Sequence, residues 1–196
     1  RRTKPVAPEW GFSTASLGSM RYDPNSAEAY QRMATLIEEI NGQSDRGAAI
    51  VGAAWLEESM SAAIESFLHS EPQSWKRLFG GNGPLGTLSA KIDLSRLLGL
   101  ITDTIRSDLH IIREVRNEFA HQIAHKTEHT KLSFSTPHIK DKCMAIKCVA
   151  HEDPTEPRTA FIRSCAILYA DFEMLQFFGV KVSDGGRIIA KVEQHK

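Results

Sequence analysis

The sequence predicts an all-α fold, a six- to seven-helix bundle with a small C-terminal β-hairpin. Three observations carry this. Apolar residues recur at helical spacing over most of residues 26 to 178. Residues that cap helices well, Ser26, Ser44, Thr87 and Thr102, stand before these runs, and Gly, Pro or Asn-Gly stands after them. The apolar period shortens to that of a strand only beyond Gly179.

Residues 1–25 hold Pro5, Pro8, Gly11, Gly18 and Pro24 without sustained periodicity and read as an N-terminal arm. From Ser26, the stripe Ala29, Met33, Leu36, Ile37 and Ile40 predicts a first helix, stopped by Asn41-Gly42. The longest helix is expected over about 44–69, with Ile50, Ala53, Ala54, Met60, Ile64, Phe67 and Leu68 at helical spacing. Its small-residue first half would admit a second helix closely, and Glu71-Pro72 ends it. Residues 74–79 suggest one helical turn, and Gly80 to Pro84 a loop. That loop lacks the Gly-Lys-Ser/Thr ending of a phosphate loop and follows no strand. A helix over about 87–98 buries Leu88, Ile92 and Leu98 and stops at Gly99. Thr102 and Asp103 open the next, with Ile105, Leu109, Ile112 and Phe119 inward. Leu132-Ser133-Phe134 reads as a short extended piece, Pro137 as the first residue of a helix reaching about Val149, and Pro154 to Pro157 as a loop. A last long helix runs from about Pro157 to Phe178 and buries Phe161, Cys165, Leu168, Phe172 and Leu175. Residues 179–196 form the hairpin appendage.

Composition excludes several classes. In 196 residues, 24 Lys and Arg balance 24 Asp and Glu, so a generally basic nucleic-acid coat or an acidic tail protein is ruled out. No apolar run approaches the roughly 18 residues of a membrane span, so no membrane association is expected. The opening RRTKPVAPEW lacks the apolar core of a secretory signal. Cys143, Cys148 and Cys165 are odd in number and include no Cys-x-x-Cys pair, which fits free thiols in a reducing cytoplasm.

The informative stretch is Arg113 to His121. A helix advances about 100° per residue, so with Ile105 at zero Arg116 falls near +20°, inside the apolar stripe. A guanidinium stays charged, so burial there requires a carboxylate such as Asp45, Glu57 or Glu58, backbone acceptors, or a face shared with another subunit. Asn117 and His121 are four apart and can touch, whereas Arg116 and His121 stand about 140° apart. To meet at one small target, the helix bends near Phe119-Ala120 or the pair is completed across a two-fold dimer. An Arg-x4-His pair with a polar residue after the Arg can cleave RNA without metal. The His moves protons and the Arg stabilises the charged phosphorane, which makes Arg116, Asn117 and His121 candidate catalytic residues.

His121, His125 and His129 recur every four residues and are candidate metal ligands, but no nearby Cys and few inward acids accompany them. A solvated histidine run is the expectation, with no metal and no cofactor. Between residues 111 and 150, seven Lys and Arg face four Asp and Glu, a mild basic patch compatible with phosphate contacts. No helix-turn-helix and no Gly-x-Ser-x-Gly elbow is present. Trp55, Phe67, Phe79, Phe119, Phe161 and Phe172 read as core.

Several segments in order resemble the mannitol operon repressor (MltR) family. They are Asp45-Arg46-Gly47-Ala48-Ala49, Leu56-Glu57-Glu58, Pro84 to Ile92, Leu98-Gly99-Leu100-Ile101, Ile112 to His121 and Leu132-Ser133-Phe134. The resemblance spans about residues 26–178. It implies a self-associating helical domain in bacterial transcriptional regulation, with repression acting through a protein partner. It marks Asp45, Arg46, Glu57 and Glu58 as family-motif residues. The Arg116-Asn117…His121 segment is also similar to the signature of the HEPN group, which implies a ribonuclease with Arg116 and His121 as its catalytic pair. The chain departs from these patterns in its N-terminal arm and in His125 and His129.

Two expectations follow. The first is a homodimeric, protein-binding regulator, joined through the small-residue face of the long helix or the Arg116 face, with no RNA cleavage. The second, the alternative, is a metal-independent endoribonuclease that binds RNA and joins two copies of Arg116 and His121 in one cleft. The first is preferred because the family resemblance is much longer than the catalytic motif.

Overall fold

The computed structural model describes residues 24–68, 70–121, 132–150, 154–178, 180–182 and 188–191. Its core is all-helical, with seven helices among the described residues: α1 Pro24–Asn41, α2 Asp45–Ser66, α3 Pro72–Phe79, α4 Leu88–Leu97, α5 Asp103–His121, α6 Pro137–Met144 and α7 Pro157–Phe178. The expected arm lies outside the described residues apart from Pro24 and Asn25, which belong to α1. Near the C-terminus, Val180–Val182 and Ile188–Lys191 lie antiparallel as β1 and β2. The turn expected between them lies outside the described residues.

The 22-residue helices α2 and α7 form the central pair, and α1, α4 and α5 pack around α2. Ser44 caps α2 by accepting the Gly47 N–H at 3.2 Å. A Cβ at Gly52 would stand 3.3 Å from Cys165 Sγ and 3.4 Å from Ile40 Cδ1, so the glycine lets α1, α2 and α7 pack closely where any side chain would have to push its neighbours by a few tenths of an ångström. The small-residue face expected to receive a second subunit is therefore filled from within the chain, with Ala48, Ala49, Gly52 and Ala53 buried. Ala54 and Leu68, expected inward, are exposed, and Leu56 and Ala63 take up the buried face.

Three further expectations give way to local hydrogen bonding. Pro72 does not merely end α2. It stands in the first turn of α3, which begins two residues before the expected turn because Glu71 caps it through the Ser74 N–H at 2.6 Å. Leu132 to Phe134 forms no strand, and the chain turns at Phe134. Thr136 Oγ1 accepts the Ser133 N–H at 3.0 Å, closing a turn that drives Phe134 into the core beside Phe119 and Phe161, with ring centroids 5.1 and 5.3 Å away. Finally, α6 stops at Met144 rather than near Val149. The buried Asp108 carboxylate accepts the Lys147 and Cys148 N–H groups at 3.0 and 2.8 Å, taking donors that a longer helix would need.

Candidate functional site

A zip of ion pairs sets α4 against α5. Gly99, at φ 72°, turns the chain between them. Thr102 then caps α5 by accepting the Ile105 N–H at 3.3 Å. Arg96 forks onto Asp103 at 2.7 and 3.1 Å, and that bond holds the Asp103 carboxyl below the usual carboxylate range. Arg106 reaches Asp93 at 2.7 Å. The pairing of late α4 residues with early α5 residues makes the helices antiparallel neighbours. The start of α4 consequently faces the second half of α5.

A groove of about 410 Å³ opens at that junction. Its walls are Glu57 of α2, the 86–89 segment that starts α4, and Arg113, Arg116 and Asn117 of α5. Arg113, Arg116 and Asn117 stand at i, i+3 and i+4 and so share a helix face. Arg116 donates from Nη1 to Asn117 Oδ1 at 2.9 Å and places Nη2 3.5 Å from Glu57 Oε2. The nearly buried Lys91 donates to the other Glu57 oxygen at 2.7 Å. Arg113 Nε is buried and has no hydrogen-bond partner among the described residues.

Arg116 is thus neither submerged nor free in solvent: its side chain keeps 33% of its exposure. The expected stripe omitted two buried α5 residues, Asp108 and Val115. These project near −60° and −80° and turn the buried centre to about −30°, leaving Arg116 at its margin. Of the three candidate acids, Glu57 is the one beside Arg116. Asp45 serves another contact, accepting from Arg158 Nη1 and from the Phe134 N–H at 3.1 Å. Glu58 is exposed. Arg46 Nε donates to the Phe119 carbonyl at 3.1 Å, tying α2 to α5. Asp45 and Arg46 therefore brace helix ends, and Arg158 extends the brace by donating to the Gln43 carbonyl at 2.7 Å, just beyond α1.

The structure joins Arg116 to Asn117 and does not bring His121 to them. The helix α5 runs unbroken through His121, which is exposed and does not line the groove. His125 and His129 lie outside the described residues, and no group of potential metal ligands occurs among the described ones. The thiols are free. Burial pushes Cys143 and Cys148 up to about 12 and Cys165 well above its usual value, so they are poor nucleophiles. No described helix is long and apolar enough to cross a membrane.

Sequence reasoning missed Arg113, Lys91 and the start of α4. The i, i+3, i+4 spacing of Arg113, Arg116 and Asn117 was the signal for the first. Lys91 and the α4 turn carry no local signal, because tertiary packing alone brings them to α5.

No protein-family description matches the sequence, and no curated protein is significantly similar to it. A solved structure, the MtlR-HPr complex from Escherichia coli, contains a chain similar in fold. The TM-score is 0.57 at 19% identity, over 71% of this chain and 97% of that one. The likeness is one of fold alone: the helical domain has an MtlR-like fold.

Proposed function

We propose that this chain is a regulatory, protein-binding helical module that works as a homodimer in bacterial transcription control within the cytoplasm. Its working unit is the helical domain that opens with α1 at Pro24 and closes with α7 at Phe178, with the residues before it as an arm and 179–196 as a hairpin appendage. One observation carries the proposal. The fold is shared with a chain from a complex of MtlR with a second protein, HPr. The site geometry is consistent with it. Asp45, Arg46 and Glu57 bond within the helical scaffold, and Arg116 pairs with Glu57 and Asn117 rather than joining a catalytic histidine. No arrangement in the described residues favours the ribonuclease alternative.

Sedimentation velocity tests the proposal. The full chain is expected to sediment as a dimer and to form a heavier, saturable complex with HPr. A monomer at tens of micromolar that ignores HPr at the same concentration refutes it.

A further inference from the structure

We infer that the groove between α2, α4 and α5 binds the phosphate group of a small phosphate monoester. Three independent donor sets open onto it. The first is Arg113, a permanent positive charge among the residues that line the groove. The second is Arg116, anchored on Asn117 by Nη1 and only 3.5 Å from Glu57 by Nη2. This arginine is oriented but not neutralised, because Glu57 is bonded more closely by Lys91 at 2.7 Å. The third is the first turn of α4. Thr87 Oγ1 takes the Ala90 N–H at 3.2 Å, and the Lys91 N–H makes the first intrahelical bond, to Thr87 O. The Leu88 and Ser89 N–H groups precede that bond at the positive end of the helix, and both residues line the groove.

The charge balance agrees. Two arginines and one carboxylate line the groove, and Lys91 already compensates that carboxylate. Donors arriving from two helices suit the three peripheral oxygens of a tetrahedral phosphate better than the two oxygens of a planar carboxylate. The volume of about 410 Å³ leaves room for a small ester substituent beside the phosphate. The glycine-rich turn before α4 does not wrap the anion. It fixes where α4 begins, since a side chain on Gly86 would stand 2.4 Å from the Gly80 carbonyl oxygen.

Nitrogen-15 NMR titrations of the full chain with inorganic phosphate, glycerol 3-phosphate and glycerol test this, with chloride matching the ionic strength. The Leu88 and Ser89 amides are expected to shift saturably with both phosphates and with neither glycerol nor chloride. Tighter binding of the ester identifies an organic phosphate as the occupant, and equal binding identifies free phosphate. Arg113→Gln is expected to weaken binding at least tenfold. Arg113→Lys keeps the charge and lacks the guanidinium, so it serves as a second variant and is expected to lose several-fold. Non-saturating shifts, shifts matched by chloride, or affinity unchanged in folded Arg113 variants would overturn the inference. The wild-type titration decides the matter alone if neither variant folds. The inference is independent of the protein-partner proposal, and either survives failure of the other.

Discussion

Replacing Glu57 by Gln removes the carboxylate that Lys91 and Arg116 share. Lys91 keeps only 11% side-chain exposure and donates to Glu57 at 2.7 Å, whereas Glu57 keeps 22%. Breaking a buried pair costs about 3–5 kcal/mol because one charge is left uncompensated. An exposed pair is worth less than about 1 kcal/mol. With burial between these limits but nearer the first, Glu57→Gln is expected to cost about 2–3 kcal/mol. Lys91→Met removes the charge that needs a partner, keeps the packed stem and leaves Glu57 beside Arg116, so it costs about 1 kcal/mol. The double variant strands no buried charge, since Arg116 remains open to water, and is expected to cost about the same as Lys91→Met alone. The coupling between the two positions is then about 2 kcal/mol. Urea unfolding followed by far-ultraviolet circular dichroism measures all four proteins, provided their m values agree. Additive single costs, with coupling below about 0.5 kcal/mol, would refute the view that Glu57 is the counter-charge that holds α4 on α2.

Other substitutions probe the braces. Asp45→Ala is expected to cost about 2 kcal/mol in the same unfolding assay, because it frees Arg158 and the Phe134 N–H together, and Asp45→Asn about half as much. Asp108 is 1% exposed and satisfies two backbone donors, so Asp108→Ala is expected to cost about 3 kcal/mol and to speed amide exchange at Lys147 and Cys148. Cys143 is fully buried with its thiol pushed up from 9.0 to about 12. The unfolded thiol ionises first, so its contribution is fully present below about pH 9 and is lost as pH rises towards 12, at up to about 1.4 kcal/mol per pH unit. Cys143→Ala is expected to flatten that part of the stability profile, as read from unfolding midpoints between pH 8 and 10.

The helices were legible where local chemistry specifies them. Ser44, Thr87 and Thr102 each cap the helix they precede, and Gly99 ends the loop-side turn of α4 as expected. Legibility failed where a distant side chain takes over backbone donors. Asp108 truncates α6 from 39 residues away, and a turn closed by Thr136 replaces the extended piece at Phe134. The site was half legible. Helical spacing sets Arg116 about 140° from His121, and His121 indeed does not line the groove with Arg116, but the Arg116–Asn117 bond was not foreseen and the contact that the four-residue spacing allows between Asn117 and His121 is not a hydrogen bond in the structure. That Glu57 would be the acid, with Lys91 as its second partner, depends on how α2 and α4 cross α5, and no one-dimensional pattern records a crossing.

The most direct test of the regulatory reading is calorimetric titration of HPr into the full-length chain at matched buffer and salt. We expect a saturable isotherm at one HPr per protomer, retained in Arg113→Gln, since the groove is assigned to a small phosphate. Heats indistinguishable from dilution across the titration would contradict the proposal that this helical domain works by holding HPr.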